Sequence, residues 1–154
     1  MKMILIVEDE YGNAEILRLL LEAEGYRVAL ASNGKNALEI LRDGEKPSLI
    51  LSDFMMPIMN GGEFGQAVSQ DHTLSQIPFI FMSATSQDVV RRAFNGYDAF
   101  LVKPIEFDSL LLVVKRLIAE GRPAPSINPP QPANGQVEQS MRHLLKGIRM
   151  PSRD

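Results

Sequence analysis

The sequence predicts an α/β fold in which five parallel strands alternate with five helices. Three observations carry that expectation. Apolar runs at 3–7, 28–31, 49–51, 79–82 and 99–102 have the length of strands buried on both faces. The stretches between them repeat apolar residues at three- and four-residue steps, the period of a helix with one buried face. Glycines and prolines punctuate the joins, where helices stop and strands begin.

Taken in order, MILIV opens the chain as the first strand. Ala14, Leu17, Leu20 and Leu21 form the stripe of a first helix, with Gly25 placed to end it in a left-handed turn. After run 28–31, Ala37, Leu38 and Leu41 mark a second helix, ended near Gly44. Pro47 leads into run 49–51. A third helix over 61–69 is the weakest element. Gly61, Gly62 and Gly65 each lower its propensity by up to ~1 kcal/mol relative to alanine. Pro78 leads into run 79–82, and Val89, Val90, Ala93 and Phe94 give a short fourth helix closed near Gly96. Run 99–102 follows. Phe107, Leu110, Leu111, Val114, Leu117 and Ile118 then give the clearest stripe of all. Such alternation places helices on both faces of a parallel sheet, and right-handed crossovers leave few topologies. The expected one is flavodoxin-like and doubly wound, with strand order 2-1-3-4-5.

The chain has 154 residues and 45% hydrophobic content, the scale of one globular unit with an appendage. There is no cysteine, which excludes disulfides, thiolate metal sites and a cysteine nucleophile. His72 and His143 are too far apart in sequence to suggest a multi-histidine metal site. No apolar run reaches the ~18–20 residues of a membrane span, and the first residues lack a signal peptide's pattern. A cytoplasmic protein is the expectation.

Charge divides the chain. Residues 1–120 carry 11 Lys and Arg against 17 Asp and Glu, a net of −6, whereas residues 121–154 carry 5 against 2, a net of +3. An acidic body argues against phosphate-backbone binding, so nucleic acid is not an expected partner. The expected organisation is a body over 1–120, a Pro-rich linker over 121–136 and a short amphipathic helix or tail over 137–150. Val137, Met141, Leu144, Leu145 and Ile148 lie on one helical stripe. Such a segment is either simply tethered, disordered or lying on the body, or it pairs with a partner, a second copy or the body's own face; contact of a basic helix with nucleic acid or membrane is the third alternative.

In an open α/β sheet, ligands bind beyond the carboxyl ends of the strands. There the sequence places Glu8, Asp9 and Glu10 after the first strand, Asp53 after the third, Ser83 after the fourth, and Lys103 with Pro104 after the fifth. Gathered carboxylates repel unless one stays protonated or a cation joins them. A hard divalent cation such as Mg²⁺ suits an all-oxygen set and leaves room for a phosphate oxygen. Lysine and serine opposite could hold other phosphoryl oxygens, and a central aspartate could be the nucleophile of an acyl phosphate. Each residue also has a bland role. Acidic residues before a helix cap it, a serine caps the next one, a lone aspartate makes a turn, and an aromatic fills core. The combination favours chemistry over the separate bland roles.

The stretches ILIVEDE, LILSDFMMPIMNG, IPFIFMSAT and DAFLVKP, in that order, resemble the receiver domain of bacterial two-component response regulators over residues 1–120. The resemblance implies that Asp53 accepts the phosphoryl group. It implies Asp9, Asp53 and the backbone carbonyl of Met55 as direct Mg²⁺ ligands, Glu8 acting on the metal through water, and Mn²⁺ as a substitute. It implies Lys103 on the phosphoryl group, Ser83 as switch hydroxyl, Phe100 as switch aromatic, and a cis bond before Pro104. Phosphorylation would draw Ser83 in, let Phe100 turn into the vacated space, and reshape a face over 89–95, 97–102 and 107–115. The implied partners are a sensor histidine kinase or histidine phosphotransfer protein and a downstream protein target, with a homodimer left open. The expected protein is a stand-alone regulator and not a turnover enzyme. Two other classes remain. One is a phosphorylation-independent interaction module on the same fold. The other is an aspartyl-nucleophile phosphatase, disfavoured because VEDE follows the first strand where a DxD pair would be needed.

Overall fold

The computed structural model describes residues 1–123 and 148–149. The elements alternate as β1 (Met3–Val7), α1 (Tyr11–Ala23), β2 (Arg27–Ala31), α2 (Gly34–Asp43), β3 (Leu49–Asp53) and α3 (Gly61–Ser69). They continue as β4 (Phe79–Ser83), α4 (Gln87–Ala93), β5 (Ala99–Val102) and α5 (Phe107–Glu120), and a two-residue β6 (Ile148–Arg149) follows. The sheet runs β2-β1-β3-β4-β5-β6. Its first five strands are parallel, in the order expected, and β6 adds an antiparallel edge. The expected tail helix lies outside the described residues except at its end. There Ile148 is in a strand, which corrects its assignment to a helix.

Alternate residues of the strands face opposite ways, and each face has its own core. Ile4, Ile6, Leu49, Leu51, Ile80, Met82, Ala99 and Leu101 pack against Leu17 and Leu21 of α1 and Leu110, Val114 and Leu117 of α5. Leu5, Val7, Ile50, Phe79, Phe81 and Phe100 pack against Ala37, Leu38 and Leu41 of α2, Phe64 and Val68 of α3 and Val90 of α4. The second face is aromatic. Phe81 meets Phe54, Phe79, Phe94 and Tyr97 edge-on, at centroid distances of 4.9–6.1 Å.

The third helix is better supported than its propensity suggests. Asn60 and Glu63 close a reciprocal capping box, with bonds of 2.9 and 3.1 Å. Its glycines are places of close approach. A Cβ on Gly61 would lie 2.6 Å from the Asp53 carbonyl oxygen, and one on Gly65 would lie 2.6 Å from Phe94 Cε2. The helix lies close enough to β3 and to the end of α4 that larger residues would push it away.

Other punctuation differs in detail. Gly25 has φ +94° after α1, as expected, but Gly44 is extended at φ −113°. The fourth helix ends at Ala93, ahead of Gly96, which instead makes room for the Phe94 ring. The left-handed stop of α5 is Gly121, φ +74°.

Just beyond it, Arg122 fastens the chain below β5. Its guanidinium donates to Asp98 Oδ1 at 3.2 Å, to the Ser75 carbonyl at 2.9 Å and to the Gly96 carbonyl at 2.6 Å. The other Asp98 oxygen accepts from the Phe79 backbone N–H at 2.8 Å. Burial raises the Asp98 pKa, and the Phe79 N–H and Arg122 only partly offset it.

Candidate functional site

Adjacent parallel strands bring their carboxyl ends together at one edge of the sheet. Val7 stands opposite Ser52, Asp53 opposite Met82, and Ser83 opposite Val102. Glu8, Asp53, Ser83 and Lys103, remote in sequence, therefore meet above the centre of the sheet.

Glu8, Asp9 and Asp53 each present a carboxylate oxygen within 4.8 Å of the others. Asp53 is 5% exposed and Glu8 4%, whereas Asp9 stands open to solvent. One Asp53 oxygen accepts from the Phe54 backbone N–H at 2.7 Å, and the other accepts from Lys103 Nζ at 2.8 Å. Lys103 also reaches Glu8 Oε1 at 3.1 Å. The ammonium thus lies between two buried carboxylates. Burial opposes its charge, but the hydrogen bonds and charges of Asp53 and Glu8 prevail and raise the Lys103 pKa. Burial, followed by the hydrogen bond and charge of Asp53, pushes the Glu8 pKa up to about 7, against the pull of Lys103.

The acidic triplet divides by role. Glu10 is the N-cap of α1 and accepts from the Gly12 and Asn13 N–H groups at 3.1 and 2.7 Å. Its neighbours Glu8 and Asp9 turn to the cluster instead. Capping is thus the role of one residue in the triplet.

The remaining candidates surround this centre. Ser83 is buried, and its Oγ accepts from the Thr85 N–H at 2.9 Å. The Lys103–Pro104 bond is cis. Met55, whose backbone carbonyl is the expected ligand, has an exposed side chain on the loop after β3. On the same loop Ile58 holds φ +69°, a region costly for a β-branched residue. Phe100 is 1% exposed and packs on Tyr97 at a centroid distance of 6.1 Å. Its ring lies in the interior.

The donor set fits a hard divalent cation. Three carboxylates converge, and the exposed Asp9 side leaves water room to complete the shell.

A family model described as the response regulator receiver domain matches residues 4–115. The chain belongs to the response regulator receiver family. Response regulator Rre1 of Synechocystis is 32% identical over 97% of this chain and 65% of its own length. The polar-differentiation response regulator DivK of Brucella anthropi is 32% identical over 77% of this chain and 98% of its own. The chain spans under two thirds of Rre1 and a third of the regulator ZraR of Klebsiella oxytoca. Among solved structures, the response regulator TrrA of Thermotoga maritima, in complex with Mg²⁺ and beryllofluoride, superposes with TM-score 0.69. It is 32% identical over 76% of this chain and 99% of its own. The receiver domain of sensor histidine kinase PA1611 of Pseudomonas aeruginosa, with magnesium in its active-site cleft, has TM-score 0.70. It is 25% identical over 77% of this chain and 98% of its own. No helix among the described residues of this receiver is long and apolar enough to cross a membrane.

One feature of the receiver escaped the sequence reading. A cavity of about 300 Å³ opens beside the cluster, lined by Glu8, Lys103, Ile16, Leu20, Pro104 and Ile105 among others. Ile16 is 58% exposed and Leu20 39%, although Leu20 was expected in the core stripe. The available signal was an excess of apolar residues on α1, more than one buried face can use.

Proposed function

We propose that this receiver accepts a phosphoryl group onto Asp53 from the phosphohistidine of a sensor kinase or phosphotransfer protein. The observation that carries the reading is the setting of the Asp53 carboxylate. Its Oδ2 lies 2.8 Å from Lys103 Nζ, and the carboxylate belongs to the Glu8–Asp9–Asp53 oxygen cluster. An Asp53 oxygen attacks phosphorus, the P–N bond of the donor breaks as the P–O bond forms, and the imidazole leaves with the electron pair. Lys103 exchanges its contact with the bare carboxylate for one with a phosphoryl oxygen. The Phe54 N–H keeps the other Asp53 oxygen fixed, so that one lone pair faces the donor. Asp9, Asp53, the Met55 carbonyl and, through water, Glu8 would hold Mg²⁺, or Mn²⁺ in its place. Such a cation supplies neutralisation of charge on the transferring group. Ser83 is the switch hydroxyl. It leaves the Thr85 N–H for a phosphoryl oxygen and carries the change to β5 and Phe100.

The apolar cavity beside the cluster suits a helix of the donor, because its histidine must come within bonding distance of Asp53. No turnover of free substrate is proposed. The downstream effect is protein contact in the cytoplasm, as a monomer or homodimer. Action as a stand-alone regulator is supported by the likeness to DivK, whose length the match nearly spans.

The test is intact mass after incubation with acetyl phosphate and Mg²⁺, beside Asp53→Asn. A labile gain of one phosphoryl group is expected, requiring the cation and absent in the variant. No gain from acetyl phosphate or a phosphohistidine donor, with no Mg²⁺-dependent beryllofluoride binding, would refute the reading and favour a phosphorylation-independent module.

A further inference from the structure

The β5 strand would be the edge of a five-stranded sheet, a row of unpaired backbone groups open to strand addition. In this chain β6 occupies that edge. Ile148 pairs with Leu101 and Arg149 with Phe100, antiparallel to β5. A second, separate contact fastens the start of the same segment. Arg122 is bound to Asp98 and Gly96, immediately before β5, and to Ser75. Both described ends of the stretch from Arg122 to Arg149 therefore rest along β5. The charge of the two parts agrees with this docking, −6 for residues 1–120 and +3 for residues 121–154. Covalent tethering then gives the segment a local concentration that a free competitor must overcome.

We infer that the C-terminal segment carrying Ile148 and Arg149 is an intramolecular ligand of the β5 edge, and that its docking is linked to the state of Asp53. The second half rests on the phosphoacceptor reading. The route is a short one. Ser83 lies opposite Val102, and Phe81 lies opposite Phe100, whose backbone is the partner of Arg149. The described arrangement combines a docked β6 with a fully buried Phe100. In the switch proposed above, movement of Ser83 toward a phosphoryl group acts on this buried ring. Docking and phosphorylation thus favour one conformation and strengthen each other, and linkage makes the effect reciprocal. An undocked tail frees the β5 edge for a partner strand, and phosphorylation closes it.

Amide hydrogen exchange of the full chain tests both halves, residue by residue, with and without Mg²⁺ and beryllofluoride. In the free protein the pairing amides of β6 are expected to exchange at least about tenfold slower than an open chain. Beryllofluoride is expected to slow them about fivefold more. The double variant Ile148→Pro/Arg149→Pro cannot donate from β6. It is expected to lose the protection and to bind beryllofluoride about fivefold more weakly while keeping its far-UV spectrum. Open-chain exchange at 148–149 in the free protein overturns the docking. Protection that rises with protein concentration also overturns it, because a second copy then supplies the strand. Protection that ignores beryllofluoride, with unchanged affinity in the variant, overturns the linkage alone. If the wild-type chain binds no beryllofluoride, the phosphoacceptor reading fails and the linkage with it, while protection in the free protein still supports or overturns docking.

Discussion

Replacing Glu8 by glutamine should remove one component of the stability that this protein loses as pH rises. Glu8 is buried beside Asp53, and its pKa rises from 4.5 to about 7 in the fold without a cation. The folded state therefore binds more protons than the unfolded chain between these values. The stability contributed by Glu8 is fully present below pH 4.5 and is lost as pH rises through about 7. At 1.36 kcal/mol per unit, the loss attributable to Glu8 reaches at most about 3 kcal/mol at pH 8. Glu8→Gln removes the charge at similar size and keeps an acceptor for Lys103. In the absence of divalent cations the variant should match wild type near pH 4.5 and exceed it by about 2–3 kcal/mol at pH 8. Mg²⁺ should reverse the order, because the cation requires the ionised carboxylate. Its affinity for wild type should fall nearly tenfold per unit as pH drops below about 7. Urea unfolding followed by circular dichroism, from pH 5 to 8 with EDTA or with Mg²⁺, measures both effects. The chain has no tryptophan, so fluorescence is a poor probe. Equal pH slopes for wild type and variant in EDTA would refute the argument. So would Mg²⁺ stabilising both equally.

Gly65→Ala provides a contest between local and tertiary terms. Helix propensity alone predicts about 1 kcal/mol of stabilisation. The added Cβ, however, would meet three ring atoms of Phe94, which packs on Phe79 and Phe81. A net loss of about 1–3 kcal/mol is expected in urea unfolding, and Phe94→Leu in the same chain should recover part of it. Arg122→Ala should cost about 2–3 kcal/mol, since the buried Asp98 loses its cation and two carbonyls lose a donor. The Asp98 pKa is already raised and would rise further, so this deficit should grow as pH rises through the Asp98 titration in the same assay.

Much of the architecture was legible because each strand and helix writes a periodic pattern into its own residues. The runs beginning at Met3, Leu49, Phe79 and Ala99 start their strands where the periodicity placed them. The site was legible for a related reason. Parallel strands put their carboxyl ends on one edge, so Glu8, Asp9, Asp53, Ser83 and Lys103 could be gathered from their positions after strands alone. Local pattern could not weigh contacts between distant residues. Glycines in α3 looked like a weakness, and their purpose becomes visible only when the Phe94 ring lies over Gly65. Glu8, Asp9 and Glu10 are adjacent and alike, yet one caps a helix and two face the cluster. Leu20 continued a core stripe but is exposed beside the site cavity.

The sequence by itself therefore determined the alternating elements, their parallel order and the polar residues that follow the strands at one edge, because these depend on period, length and side-chain type. Only the tertiary structure decided the burial of Glu8 beside Asp53, the place of Lys103 between two carboxylates, the burial of Phe100 and the strand that closes β5. Those depend on distances between residues up to 95 positions apart. Electrostatic and packing energies act through such distances, which no local pattern in the sequence contains.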